Sequence, residues 1–491
     1  MSGGIKRLAG ETMIYGASTM FGRLLNWLLM PFYIHTISQA ENGIVFNLYG
    51  YVAILFTLFT YGMETGFFRF ARGNDEKKVF HTSLFMLGIT SLLLILITAL
   101  CSETFSNIQY GGKYRLAVIF MGIIIALDAF LSIPFANLRL HNRPIRFSII
   151  KFVNIGINIF FNLFFLLFIP LLIKKNLLPA AMVDIYNRGN GVFYIVLSNL
   201  IASISIFFFF IGDFKSIKGS VDMKLVRQML KYSWPVLAVG VTGMVIQNSD
   251  NILIPQLIKE NGFEQLGVYG AAFKIGVLMS LFTQSFRFAF EPYFFKNRDK
   301  GKDSYAKIME YFVFFGVLIF LGVTLFTDVI YLILKTDYYS GKILIPIVLT
   351  GFLLFGIYYN LSLWYKLTDK TVWASLFGAV GMAVTLMLHF ILIPLMGILG
   401  AAISFVSGYF VMVIWSFFKG QKVYHVPYNL RKIGMYVFAG IIIYFADYFI
   451  SFDSKIVTYL FKAGIFAAYI LFFLGIELKQ KNKKTKRLLD S

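Results

Sequence analysis

Cysteine occurs once, at Cys101, so no disulfide can form within the chain and the redox compartment is left open. Histidine is scarce too, with five copies, and no Cys/His cluster has the spacing that holds zinc. The 24 acids are outnumbered by 45 Lys plus Arg, and most fall in loops or near helix ends, which makes a two-carboxylate or two-metal centre hard to assemble. A GxxxxGK[ST] phosphate loop is missing, since Gly301 to Ser304 is too short and lacks the second glycine, and HExxH and GxSxG are missing as well. These absences argue against an enzyme and give no reason to expect a cofactor or a metal.

Charge as a whole is thin. Charged residues make up 14% of the chain and the apolar set 58%, against about 25% and 45–50% in soluble domains. The apolar residues gather in fourteen runs near 20 residues long, from 12–34 to 456–476, the length a helix needs to cross about 30 Å of hydrocarbon. Runs such as Leu92 to Leu100 and Ile204 to Ile211 do not alternate, which excludes a β-barrel. The expected class is all-α and polytopic. The first run carries Arg23 and has no small-residue cleavage signature, so it reads as a retained helix and not a signal peptide.

Positive charge is unevenly shared between the two sides. The N-terminus, the connections after even-numbered spans and the C-terminal tail hold 31 Lys plus Arg, the other connections hold nine, and Arg23, Lys151, Lys274, Arg287 and Lys462 lie within or at the ends of spans. Basic connections stay cytoplasmic, which places both termini on the cytoplasmic side of the membrane. A net charge of +21 therefore faces anionic lipid and does not call for nucleic acid, for which there is no soluble basic module.

An internal repeat sets the organisation. At an offset of 224 residues Gly16, Met20, Leu29, Pro31, Ile34 and Gly43 fall on Gly240, Met244, Leu253, Pro255, Ile258 and Gly267. Six spans per unit is an even number, so two such units share one orientation, as in secondary transporters with parallel repeats. The expected division is one lobe at 1–213, a second at 214–432, and two further spans with a basic tail at 433–491.

Polar residues inside the spans mark the candidate site. Thr12, Gly16, Thr19, Arg23 and Asn26 share one face of the first span, and Gly240, Gly243, Gln247 and Asp250 repeat it in the seventh. An arginine at the bilayer centre costs about 2.5–3.5 kcal/mol, so Arg23 faces a wet cavity or a partner. Lys151, Asn154, Asn158 and Asn162 form a ladder in the fifth span that either lines a path or bonds neighbouring helices. Lys274 lies within the eighth apolar run and Arg287 near its cytoplasmic end. Asp128, His389 and Lys462 stand as isolated intramembrane ionisable groups; Asp128, Asp250 and His389 are the candidates for coupling to an ion or proton.

Two segments resemble a known family. Gly62-Met63-Glu64-Thr65-Gly66-Phe67-Phe68-Arg69-Phe70 is similar to the G-[LM]-[ED]-x₄-R-[FY] signature of polysaccharide and oligosaccharide flippases in the multidrug/oligosaccharidyl-lipid/polysaccharide exporter superfamily. Asp250-Asn251-Ile252-Leu253 with Gly267-Val268-Tyr269-Gly270-Ala271-Ala272-Phe273-Lys274 resembles the same family's D-x-[IL]-[IL]…G-x-Y-x-A-A-x-K pattern. The resemblance implies a V-shaped pair of six-helix lobes plus two helices. It also implies a polyprenyl-diphosphate-linked oligosaccharide, such as an O-antigen or capsule repeat unit, flipped to the periplasmic leaflet by alternating access, with glycan polymerase and glycosyltransferases as partners. Arg23, Lys274 and Arg287 are then candidates for the diphosphate, and Asn26, Gln247, Asn154 and Asn158 for sugar hydroxyls. Alternatives are a cation-coupled multidrug exporter, a lipid II flippase, or, from another class, a polytopic glycan polymerase or acyltransferase.

Overall fold

The computed structural model describes residues 16, 20–25, 27–73, 75–215, 221–296, 302–368, 370–450 and 452–489. Among them there is no strand, and thirteen helices are long and apolar enough to cross a membrane. The first helix, α1, is seen at the described positions from 20 to 36. The thirteen follow as α2 (Gln39–Ala71), α3 (Glu76–Tyr110), α4 (Arg115–Leu140), α5 (Pro144–Lys174), α6 (Gly191–Phe209), α7 (Met223–Leu257), α8 (Gly262–Phe288), α9 (Lys302–Leu325), α10 (Thr336–Leu367), α11 (Val372–Met396), α12 (Ile398–Val423), α13 (Leu430–Phe449) and α14 (Lys455–Lys479). They match the second to fourteenth apolar runs in order. Thr12, Thr19 and Asn26 lie outside the described residues.

The chain is a multi-pass membrane protein. On α3 the exposed apolar residues include Ile89, Leu92, Leu93, Leu96, Ile97 and Leu100, with Leu92 at 69% and Leu100 at 72%. That i, i+3, i+4, i+7 stripe is prohibitive in water and neutral in hydrocarbon. Several helices outrun their apolar cores because their ends are capped in the sequence. Ser38 and Glu41 close a capping box on α2, Asp75 accepts from Lys77 N at 3.0 Å, and Asn190 accepts from Phe193 N at 2.9 Å. The connection after α5 contains a short helix at Ala180–Asn187.

Contacts divide the chain into two compact units. The N-terminal unit comprises Met1–Ala271 and Ala374–Ser404; the C-terminal unit comprises Ala272–Trp373 and Phe405–Ser491. In the N-terminal unit, Leu29, Tyr33, Leu48, Tyr110, Ile124 and Val196 form a core joining α1, α2, α3, α4 and α6. In the C-terminal unit, α13 and α14 are fastened to α9. Lys432 of α13, 1% exposed, bridges Glu310 of α9 at 2.8 Å and Glu477 of α14, while Phe314 stacks on Phe473 at 3.7 Å. Lys462, expected to be isolated, sits between Asp328 at 3.4 Å and Asp447 at 3.6 Å, and Lys342 also binds Asp328, at 2.9 Å.

Candidate functional site

The first signature segment is a kink and a packing surface. Tyr61 and Gly62 both adopt left-handed backbone, at φ 33° and 68°, and interrupt α2 after Thr60. A Cβ on Gly62 would lie 3.0 Å from Ser233 O, and one on Gly66 would lie 2.7 Å from Ser233 Oγ, so both glycines admit α7. Met63 and Phe67 are fully buried, Glu64 binds Arg139 at 2.6 Å, and Arg69 lies 5.2 Å from the centre of the Tyr232 ring. Phe70 lies edge-on to the same Tyr232 ring at 6.0 Å, so each named position of the motif has a local structural contact.

The second signature closes on itself in space. Tyr269 donates its hydroxyl to Asp250 Oδ2 at 2.5 Å, and the other carboxylate oxygen accepts from Asn251 N at 2.7 Å. Asp250 is 1% exposed and Tyr269 fully buried. Next to them Ser249 Oγ lies 3.2 Å from Nδ1 of the buried His389 on α11. The coupling candidates Asp250 and His389 thus each have a buried partner, Tyr269 of α8 for Asp250 and Ser249 of α7 for His389, and His389 is not isolated.

A second polar cluster lies among α2, α4, α5 and α6. Asp128, in the middle of α4, accepts from Ser203 Oγ at 3.0 Å and interacts electrostatically with Lys151 and Tyr49. Tyr49 in turn accepts from Asn199 Nδ2 at 2.7 Å. Lys151 has its Nζ 4.2 Å from the centre of the Phe135 ring and also feels Arg139 and Glu64. Asp128, expected to stand alone, therefore has a cation beside it. A carboxylate among side chains of four spans needs such partners, because hydrocarbon alone would leave it unsolvated.

The fifth-span ladder splits in two. Asn162 is fully buried, donates to Asn158 O and Oδ1 at 2.8 Å and accepts from Tyr33 OH at 3.0 Å, so its lower rungs bond α1 to α5. Asn154 is half-buried, one turn from Lys151. Arg23 is exposed on α1, whose neighbours Phe21 and Gly22 pack on Phe152 and Ile155 of α5. Gln247 is half-buried on α7. In the C-terminal unit Lys274 is half-buried, and Arg287 is exposed 5.0 Å from the centre of the Tyr359 ring, which also takes Lys366 Nζ on its hydroxyl at 3.1 Å.

Lys151, Ser203, Tyr49 and the Glu64–Arg139 pair were not singled out in sequence as partners of Asp128. Lys151 carried a signal, as a second charge inside an apolar run. The others are ordinary residues until the fold gathers them.

Comparisons with known proteins agree with this architecture. No curated protein matches the chain. Among solved structures, the lipid II flippase MurJ in an inward closed conformation matches with a TM-score of 0.74 at 15% identity, covering 95% of this chain and 100% of that one. An inward-facing multidrug resistance MATE family transporter of the MOP superfamily matches with a TM-score of 0.61 at 13% identity, over 87% of this chain and 95% of that one. A MOP superfamily transporter from Pyrococcus furiosus, described as having a binding pocket of reverse polarity, matches with a TM-score of 0.52 at 15% identity, over 85% and 96%. At such identities the likeness is one of fold. The family model described as "Polysaccharide biosynthesis protein" matches residues 8–298, more than half of the chain, and the protein belongs to that family.

Proposed function

We propose that this protein flips a polyprenyl-diphosphate-linked oligosaccharide from the cytoplasmic to the periplasmic leaflet of a bacterial inner membrane, with both termini in the cytoplasm. The observation that carries this reading is the pairing of Asp128 with Lys151, among polar side chains inside the spans, in a member of a polysaccharide biosynthesis family. A diphosphate-sugar headgroup loses several kcal/mol or more for its unpaired charge and hydroxyls in hydrocarbon. A polar interior with fixed cations removes that barrier.

Arg23, Lys274 and Arg287 are the proposed diphosphate ligands, because a guanidinium or ammonium forms charge-assisted hydrogen bonds with phosphate oxygens. Asn26, Gln247, Asn154 and Asn158 are the proposed sugar contacts, with Asn158 contributing only what its bonds to Asn162 leave free. Glycosyltransferases that build the headgroup and a polymerase that consumes it are the implied partners. The two signature segments, a lobe at 1–213 and a lobe at 214–432, and the extra helices at 433–491 are the proposed moving parts, and alternating access is the proposed mechanism.

The test is transport. Inverted vesicles loaded with a labelled lipid-linked glycan should expose its headgroup to an enzyme confined to the lumen only when the protein is present. Equal exposure in empty vesicles, with no complementation of a flippase-deficient strain, overturns the reading. A cation-coupled drug exporter is the second reading, favoured by Asp128, Asp250 and His389 as proton-carrying candidates.

A further inference from the structure

We propose that a separate cavity in the N-terminal unit, at the end carrying the α3–α4 and α5–α6 connections, binds the phosphate of a lipid, with the lipid chain lying against an aromatic wall. The cavity encloses about 740 Å³, within the range of about 300–1,000 Å³ typical of small-molecule sites. It is distinct from the Asp128 cluster and shares no residue with it.

The wall is built and held open. Phe164 and Phe165 line it from a π-helical turn at Phe164–Phe168, a departure from α geometry that recurs at functional sites. Opposite them the short helix Ala180–Asn187 is fixed by Tyr186, which stacks on Tyr194 at 4.7 Å and donates to Phe165 O at 2.8 Å. Tyr194 returns a bond to Tyr186 O at 2.7 Å. This loop helix is thereby kept from collapsing into the space. Met182 and Ile185 on it are 57% and 67% exposed, so the wall continues into an apolar surface suited to hydrocarbon.

The rim is cationic where the protein is otherwise sparing with positive charge. Only nine Lys and Arg lie in the connections of this end, and five of them, Lys113, Arg115, Lys174, Lys175 and Arg188, fall in the two connections that form the cavity. Lys113, Arg115 and Arg188 line it. Lys113 is placed by Gly111 and Gly112, both left-handed at φ 62° and 82°, with Gly112 N bonded to Ser106 O at 3.0 Å. Glu103 pairs with Arg115 at 3.0 Å and Glu41 accepts from Gly191 N at 3.1 Å beside the rim, while Asp184 does not line the cavity, so the three lining cations outnumber the two acids near them. An apolar pocket opening to hydrocarbon with cations at its polar edge complements an amphipathic anion.

The ligand chemistry has two sources, an isoprenoid phosphate carrier and a bulk anionic phospholipid. The full chain in detergent would be titrated with geranylgeranyl diphosphate, phosphatidylglycerol, geranylgeraniol and diacylglycerol, with bound lipid counted by native mass spectrometry. Both phosphate anions should be retained over their neutral counterparts. Lys113→Gln with Arg188→Gln, which alters only exposed side chains, should weaken that retention roughly tenfold, the loss expected for charge-assisted hydrogen bonds. Leu178→Trp, which fills the cavity and leaves the charges, should weaken it as well, while Lys335→Gln should not. Displacement of the isoprenoid by equimolar phosphatidylglycerol would identify the occupant as bulk lipid and resistance would identify it as the carrier; both support the site. Equal retention of neutral and anionic forms, or retention unchanged in both cavity variants, overturns it.

Discussion

Gly43 and Gly267, separated by the 224-residue repeat offset, pack reciprocally. A Cβ on Gly43 would strike the carbonyl oxygen of Phe263 and one on Gly267 would strike that of Gln39, and Gln39 and Phe263 are themselves 224 residues apart. Gly270 meets the ring of Phe46, its own offset equivalent. Reciprocal contact of equivalent positions is what a two-fold axis imposes where two like elements cross. This supports the proposal that the repeats are related by a pseudo-two-fold axis along the membrane normal.

Gly43→Ala and Gly267→Ala should therefore be similarly destabilising, by about 1–3 kcal/mol each, since the obstacle is backbone on both sides. Gly156→Ala, where a Cβ meets nothing within 4 Å, should be close to neutral. Thermal denaturation in detergent measures all three. A much larger loss for one of the pair would count against reciprocal packing, and failure of α1–α6 to superpose on α7–α12 in an experimental structure would remove the repeat altogether.

The spans, their order and their approximate ends were legible in the sequence, because a bilayer demands about 20 apolar residues and little else satisfies it. The signature glycines were legible as motif but not as packing: Gly62 and Gly66 are explained by the approach of α7, and Gly43 by that of α8. Charges were harder. Lys462 and Asp328 are 134 residues apart and Asp128 and Ser203 are 75 apart, and no periodicity along one helix reports such a partner. The ladder of asparagines illustrates the same limit, since Tyr33 decides that Asn162 is glue.

Removing one member of the Asp128–Lys151 pair should impair transport more than removing both impairs folding. Asp128→Asn leaves Lys151 without its nearest opposite charge, and Lys151→Met does the converse. The double variant Asp128→Asn/Lys151→Met should recover membrane insertion and thermal stability to near wild type while complementation stays lost. Complementation by the double variant would reduce the pair to a structural element.

The bond between Lys342 and Asp328 predicts an acid-sensitive attachment of α14. Asp328 lies between spans, and the hydrogen bond from Lys342, with the Lys462 charge close by, holds its carboxyl below the usual carboxylate range. A carboxyl with a depressed folded value contributes stability above its unfolded pKa of about 3.9 and loses it as pH falls through the lower folded value. Stability should thus decline below about pH 4, and Asp328→Asn should remove part of that decline while leaving the rest of the profile unchanged. Protease cleavage between α13 and α14, followed from pH 7 to pH 3, checks both. Identical profiles for the two proteins would dismiss the contact.

Arg23→Ala and Lys274→Ala should each abolish export of the lipid-linked glycan while leaving the protein in the membrane, because an intramembrane cation without a polar use is a cost the fold does not need. The transported species should be anionic. In nanodiscs the protein should bind a polyprenyl-diphosphate glycan in preference to ethidium, and the preference should fall with salt, though less than at an open surface. Each alanine variant should weaken the diphosphate ligand by roughly tenfold or more, the loss of a charge-assisted hydrogen bond. An exporter of organic cations needs the opposite field. Tight ethidium binding that disappears in Asp128→Asn or Asp250→Asn, with no affinity for the diphosphate lipid, would transfer the protein to the drug exporters; full complementation by both alanine variants would make Arg23 and Lys274 structural.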